Sequence, residues 1–158
     1  MDIRMRYLSA LKSSSARTPY VTPARKIIRR ELMEWILFRE YLDPASDMDC
    51  VADRLGVPRE DVSDLLWICT GERFLTIRKR LRIGDAKRLL LSRPDMTMSE
   101  VARTVGFQDK SDFRRAFKEE TGYLPRIWRE SGGRRLKCRI KAIREAGRNR
   151  CSSLHRNA

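Results

Sequence analysis

Apolar positions recur at helical spacing through most of the chain between residues 24 and 130. From about Ala24 to Leu42, Ile28, Leu32, Trp35 and Ile36 share one broad face, with Phe38 or Arg39 at its border, and Asp43-Pro44 ends the run. Asp47 is placed to cap a short helix through Leu55, and Gly56 turns the chain. Pro58 suits the first turn of a helix that runs to Thr70 and closes at Gly71. The next helix spans Thr76 to Leu91, and its pattern is unusual. Ile77, Leu81 and Leu91 gather on one side, while Ile83, Ala86 and Leu90 gather roughly opposite. A helix apolar on two opposite faces is expected to bridge two cores. Pro94 stops it, and Thr97 or Ser99 caps the helix after it.

That helix opens the segment VARTVGFQDKSDFRRAFKEET, residues 101–121. The segment has the pattern of a helix, a tight turn at Gly106 and a second helix, ended by Gly122, with a short helix from about Pro125 to Arg129. Ala102 supplies the small residue at a helix crossing, Gly106 the left-handed turn, and Phe113 and Phe117 the apolar lock. The outward positions of the second helix are basic and hydrogen-bonding, which suits entry into a DNA major groove. The same plan occurs earlier. VADRLGVP at 51–58 matches VARTVGFQ at 101–108, and Thr70-Gly71 returns as Thr121-Gly122. Val62 then corresponds to Phe113, and Leu66 to Phe117. The expected fold is all-α: two helix-turn-helix, homeodomain-like lobes joined by a long linker helix.

Charge divides these lobes. The net formal charge of the chain is +14, but most of it lies at the ends. Residues 1–30 hold eight basic residues against Asp2, and residues 132–158 hold nine against Glu145. Residues 31–72 have Arg39, Arg54 and Arg59 against eleven acids, a net of −8, whereas residues 73–131 carry +7. One lobe is acidic and the other basic, so the two are not expected to meet a polyanion in the same way. The segments divide as a mobile basic arm at 1–24, containing SSSARTPYVTP, a first lobe at 25–75, a linker helix at 76–91, a second lobe at 92–131 and a basic tail at 132–158.

The remaining chemistry excludes more than it adds. Cys50, Cys69, Cys138 and Cys151 form no CxxC pair and no zinc spacing, and Cys50 and Cys69 fit the apolar helical pattern as small core residues in a reducing cytoplasm. No metal and no cofactor is expected. The single histidine, His155, lies in the tail, and neither a glycine-rich phosphate loop nor a nucleophile–base pair is recognisable, which disfavours an enzyme. Phe107, Phe113, Phe117, Trp35, Trp128 and Trp67 are expected in the core. No apolar run is long enough to span a bilayer.

The run RIGDAKRLL, then SEVARTVGFQDKSDFRRAFKEETGYLPRIWR, resembles the DNA-binding half of the AraC/XylS family of bacterial transcription regulators, and the resemblance covers about residues 31–131. It implies two lobes that place one helix each in successive major-groove segments, roughly 34 Å apart. It implies double-stranded DNA as the partner, promoter binding and, usually, activation through RNA polymerase. Lys110, Ser111, Arg114 and Arg115 then sit where base edges or the groove would be met. Arg115 is the best single base reader, since guanidinium binds guanine bidentately. Gln108, Lys118, Arg126 and Arg129 are the candidates for phosphate contact, with Arg129 equally placed for a structural salt bridge. Asp109 and Asp112 are expected to cap the helix and orient the arginines. Arg78, Lys79, Arg80, Arg82, Lys87 and Arg88 are expected to solvate the linker helix.

This sequence departs from the family pattern twice. Residues 1–24 are too short for the sensing and dimerising domain that most members carry, so the chain is expected to be a stand-alone regulator or a piece of a longer product. The first recognition-like helix also presents Glu60, Asp61, Ser63, Asp64 and Trp67. Carboxylates accept from cytosine amino groups, yet three of them beside phosphates oppose binding. The competing class is therefore a protein-interaction module with only salt-dependent, sequence-indifferent DNA affinity.

Overall fold

The computed structural model describes residues 2–13 and 22–133, and these are all-helical. In chain order the helices are α1 (Ile3–Ser13), α2 (Pro23–Leu37), a 3₁₀ turn (Glu40–Leu42), α3 (Met48–Leu55), α4 (Arg59–Thr70), α5 (Phe74–Ser92), α6 (Met98–Thr104), α7 (Lys110–Thr121) and α8 (Pro125–Glu130). Two cores form. Trp35, Tyr41, Val62, Leu66, Phe74, Ile77 and Leu81 lie in the first, and Ile83, Ala86, Leu90, Val101, Phe113 and Phe117 in the second. The linker helix α5 thus feeds both, as its doubly apolar pattern predicts, and it is continuous past Ile83. Leu91 departs from the pattern and is exposed.

Local chemistry fixes the helix ends. Asp47 accepts from the Cys50 N–H at 2.9 Å at the start of α3. Thr97 and Glu100 form a reciprocal capping box on α6. Both recognition-like helices close alike. The Thr70 hydroxyl donates to the Leu66 carbonyl at 2.7 Å and accepts from the Glu72 N–H at 3.1 Å. Thr121 does the same with Phe117 and Tyr123, at 2.7 and 3.1 Å.

Several expectations change. Residues 1–24 are not simply an arm: Ile3–Ser13 form α1, whose Tyr7, Leu8 and Leu11 are buried in the first core. Ile3, Tyr7 and Leu11 stand four apart, a short helical signal masked by the Ser- and Pro-rich stretch behind it. Helix α1 also crosses the linker closely, because a Cβ on Gly84 would sit 2.4 Å from the Ile3 Cγ2. Secondly, α2 ends at Leu37 and does not reach Leu42, since Arg39 takes a left-handed φ of 61°. That break turns Tyr41 inward and brings the Arg39 guanidinium to Asp85 at 2.7 Å. Thirdly, Cys50 is exposed and Cys69 only partly buried, so neither is the enclosed core residue its position in the pattern implies. The tail from residue 134 onward, with Cys138, Cys151 and His155, lies outside the described residues.

The linker cations are not a solvated face. Arg78 donates to the carbonyls of Tyr41, Asp43 and Pro44, and Arg82 donates to the Tyr41 carbonyl at 2.6 Å. Burial, reinforced by nearby Arg78, pushes the Arg82 guanidinium down to about 10, which leaves it charged at neutral pH. Asp85, 2% exposed, accepts from Arg39, from the Tyr41 hydroxyl at 2.7 Å and from Arg88. Arg80 joins Glu72 of the first lobe to Glu120 of α7, the latter at 3.1 Å. Buried and part-buried polar groups paired in this way fix the lobes relative to one another.

Candidate nucleic-acid interface

The second helix-turn-helix is built from α6, the turn at Gly106 and α7. Ala102 is buried at the crossing, and Phe113 and Phe117 are fully enclosed. Phe107, Phe113, Phe117 and Trp128 form a chain of edge-on ring contacts with centroids 5.6, 5.7 and 6.0 Å apart. Gly106 has φ +85°, and a Cβ there would fall 2.2 Å from the Leu42 carbonyl oxygen and against the Arg82 guanidinium. The turn therefore requires glycine twice, for its dihedral and for its neighbour. With this lock in place, Lys110, Ser111, Arg114, Arg115 and Lys118 are all exposed on the outward side of α7.

The charges on α7 are sorted by face. Asp109 accepts from the N–H groups of Ser111 and Asp112, which hold its carboxyl below the usual range. Asp112 pairs with Arg115 at 2.5 Å and steadies a guanidinium whose side chain is 72% exposed. Glu119 and Glu120 turn back to Lys79 and Arg80 of the linker, at 3.0 and 3.1 Å. The acids are thereby engaged on the protein side, and the cations remain outside. Arg126, at the start of α8, borders one concavity with Lys110 and Arg114 and pairs with Glu130 at 2.7 Å. Gln108 is exposed in the turn.

Arg129 is placed differently from the other candidates. Its guanidinium donates to the Met96 carbonyl at 2.7 Å and reaches the Pro94 carbonyl at 3.4 Å, tying α8 to the loop before α6. It is part-buried and holds the lobe together, where phosphate contact would need a presented side chain. Only the residues around Pro94, far away in sequence, disclose that role.

The first lobe repeats the geometry with other side chains. Val62, Leu65 and Leu66 face inward from α4, while Glu60, Asp61, Asp64, Trp67 and Ile68 face outward. By the repeat, Glu60 stands where Ser111 does, Asp64 where Arg115 does and Trp67 where Lys118 does. Trp67 is 59% exposed, so it is not the core residue expected. Two unit charges 4 Å apart interact by about 1 kcal/mol in water and about 4 kcal/mol near a protein surface. Carboxylates brought to phosphates at such distances oppose entry of α4 into a groove. Among the described residues no cluster of His, Cys, Asp and Glu is arranged for a metal ion, and no helix is long and apolar enough to cross a membrane.

Comparison with known proteins gives this geometry a context. Residues 51–131 match the family described as a helix-turn-helix domain. The chain is similar to the HTH-type transcriptional activator RhaR of Cronobacter sakazakii, 30% identical over 92 residues, which are 58% of this chain and 32% of that protein. It is also similar to the uncharacterized HTH-type transcriptional regulator YobQ of Bacillus subtilis, 41% identical over 51 residues, 32% of this chain and 21% of that one. The chain thus spans a third or less of the length of these relatives. Among solved structures, the DNA-binding domain of AdpA, a global transcriptional factor in complex with a target DNA, superposes with a TM-score of 0.58 at 27% identity, covering 65% of this chain and 89% of that one. The C-terminal domain of the two-component response regulator yesN from Fusobacterium nucleatum gives a TM-score of 0.58 at 26% identity, covering 63% and 96%.

Proposed function

Because this chain belongs to the AraC-type helix-turn-helix family, we propose that it is a transcriptional regulator that binds double-stranded DNA and reads the major groove chiefly with α7. One observation carries the choice of helix. On α7 every acid is engaged by a backbone N–H or a neighbouring cation, and Lys110, Arg114, Arg115 and Lys118 face outward. Lys110, Ser111, Arg114 and Arg115 contact base edges or the groove wall, with Arg115 held by Asp112 for a bidentate approach to guanine. Gln108, Lys118 and Arg126 meet phosphates and fix the register. Arg129 is left out of this set because it is bonded to the chain's own carbonyls. Seated at a promoter, the protein acts on transcription through RNA polymerase.

Selection of duplexes from a random pool tests this directly. The full chain is expected to enrich one motif, and the Arg115→Ala chain is expected to enrich the same motif with one position relaxed. Recovery of unselected sequence, with affinity set by salt alone, would reject base reading by α7 and leave a nonspecific DNA binder.

A further inference from the structure

Among the described residues, nothing covers the outward face of α4. Glu60, Asp64 and Trp67 lie at spacings of four and three residues and so form one stripe, about 10 Å long. Beside Trp67, Ile68 is 44% exposed, and Leu75 at the start of α5 is 71% exposed. Leu75 borders the same concavity as Glu60, Ser63 and Asp64. Large apolar side chains are thus left outside on two consecutive elements, with Glu60 and Asp64 beside them.

Most other acids of residues 31–72 are engaged within the described residues, although Asp53 and Asp61, like Glu60 and Asp64, form no ion pair there. Glu31 and Glu40 pair with Arg54, Asp49 with Arg59, and Glu72 with Arg6 and Arg80. Asp43 and Asp47 accept from backbone N–H groups. Glu60 and Asp64 form no ion pair with a described residue. Arg59 is the nearest cation in sequence, and Asp49 holds it at 2.9 Å. Arg73 borders the concavity from the α5 side, and Arg25 borders another with Asp61 and Asp64.

We propose that this face of α4 is a docking surface for a basic helical segment of a partner protein, which sets an apolar side chain against Trp67 and Lys or Arg side chains against Glu60 and Asp64. Charge complementarity selects the occupant. The same face of the second lobe is cationic and suits a polyanion, whereas this one is anionic with an aromatic anchor. Exposed Trp is favoured at the energetic centre of protein interfaces, and complementary charge around it selects the partner. A polar rim alone would bind weakly, and Trp67 with Leu75 supplies the apolar contact that makes the attraction local. The proposal does not depend on what α7 reads.

The full chain is titrated with a synthetic helix of about sixteen residues, Leu on one stripe and Lys elsewhere, while backbone amide shifts are followed by NMR. A matched peptide with Glu in place of Lys is the control. Shifts are expected to concentrate on Glu60–Ile68 and near Leu75 and to be absent with the Glu peptide. Trp67→Ala is expected to weaken binding at least about tenfold, and the Glu60→Gln/Asp64→Asn pair about three- to tenfold, more at low salt. Trp67 is outside the core, so unchanged DNA binding by the Trp67→Ala chain reports that the fold is intact. Shifts scattered over Asp49, Asp53 and other acids, with affinity unaltered in Trp67→Ala, would overturn the proposal in favour of general attraction. DNA carrying the selected motif that perturbs α4 as strongly as α7, with base choice relaxed in Trp67→Ala, would overturn it in favour of a second reading helix.

Discussion

In the second lobe Ser111, Arg115 and Lys118 occupy the outward stripe of α7, and in the first Glu60, Asp64 and Trp67 hold the same stations on α4. Inward positions differ far less. Ala52 and Ala102 are both buried, Val62 answers Phe113, Leu66 answers Phe117, and Thr70-Gly71 and Thr121-Gly122 close the helices through the same hydroxyl bonds. The repeat therefore preserves what packs and varies what is presented. Volume is also redistributed: the second core fills its helix-turn-helix with rings, while the first places Trp35, Tyr41 and Phe74 around smaller side chains. Fold can be inherited by a duplicated lobe while its partner changes, because outward side chains contribute little to folding.

The largest expected contrast concerns the two turn glycines. Gly56 and Gly106 both have positive φ, but a Cβ on Gly56 meets nothing within 4 Å, whereas one on Gly106 meets the Leu42 carbonyl at 2.2 Å. Gly56→Ala should cost about 1–2 kcal/mol of stability, the left-handed penalty alone. Gly106→Ala should cost about 2–5 kcal/mol, because backbone and the Arg82 guanidinium must also move. Thermal unfolding of both variants checks this. Equal shifts in Tm would mean that the junction around Leu42 and Arg82 yields freely.

Base reading gives the next contrast. Arg115→Ala should lose about 1–3 kcal/mol on the selected site and relax choice at one base pair. Lys118→Ala should weaken all sequences alike and lower the salt slope by about one. Should both variants weaken selected and random DNA equally, Arg115 is a phosphate ligand and its placement at a base is wrong.

Sequence alone disclosed the elements whose causes are local. The cap of α6 within Thr97–Ser99, resolved as Thr97, the Asp109 cap, the turn glycines and the two-faced α5 are each set by residues within a few positions of one another. What it missed depends on distant partners. Arg39, past the break in α2, pairs with Asp85 46 residues ahead, and Arg78 and Arg82 are drawn inward by carbonyls of the 41–44 turn. For Arg129 a structural role is one of two readings the residues allow, but its partners, the carbonyls of Pro94 and Met96 in place of a carboxylate, were not legible. Trp67 and Cys50 share the helical periodicity of their neighbours, yet they fall just outside the buried arc, a matter of where α1 and α2 press. The charge reversal between lobes was legible, whereas which of the first lobe's acids are ion-paired, Glu31, Glu40 and Asp49 among them, and which, like Glu60 and Asp64, are not paired with a described residue, was not.

A smaller effect separates how the two recognition-like helices begin. Helix α7 starts with Asp109 accepting backbone N–H groups, while α4 starts after Pro58 with no side-chain cap. The folded-state pKa of Asp109 is depressed, so its contribution is complete above the ordinary carboxylate range and is lost as pH falls through the lowered value. Asp109→Ala should lower Tm near neutral pH, and the difference from the parent chain should vanish in strong acid. A gap that persists there would assign the loss to packing and not to the carboxylate.

The smallest effect bears most directly on the first lobe. Glu60 and Asp61 lie in the first turn of α4, where the helix dipole favours acids, so these side chains stabilise the helix while opposing the approach of phosphates. Glu60→Gln with Asp64→Asn removes two negative charges with little change of shape. DNA affinity should rise about two- to fivefold at low salt, on selected and random duplexes alike, and the gain should fade as salt screens the surface. Stability should fall by no more than about 1 kcal/mol, the helix-dipole contribution of Glu60, because neither side chain is ion-paired with a described residue and both are exposed. Repulsion without base choice is the signature of a lobe held near DNA but not reading it. Loss of affinity confined to one half of the selected site would instead show these carboxylates accepting from cytosine amino groups. Two-lobed reading would then replace the division of labour between α4 and α7.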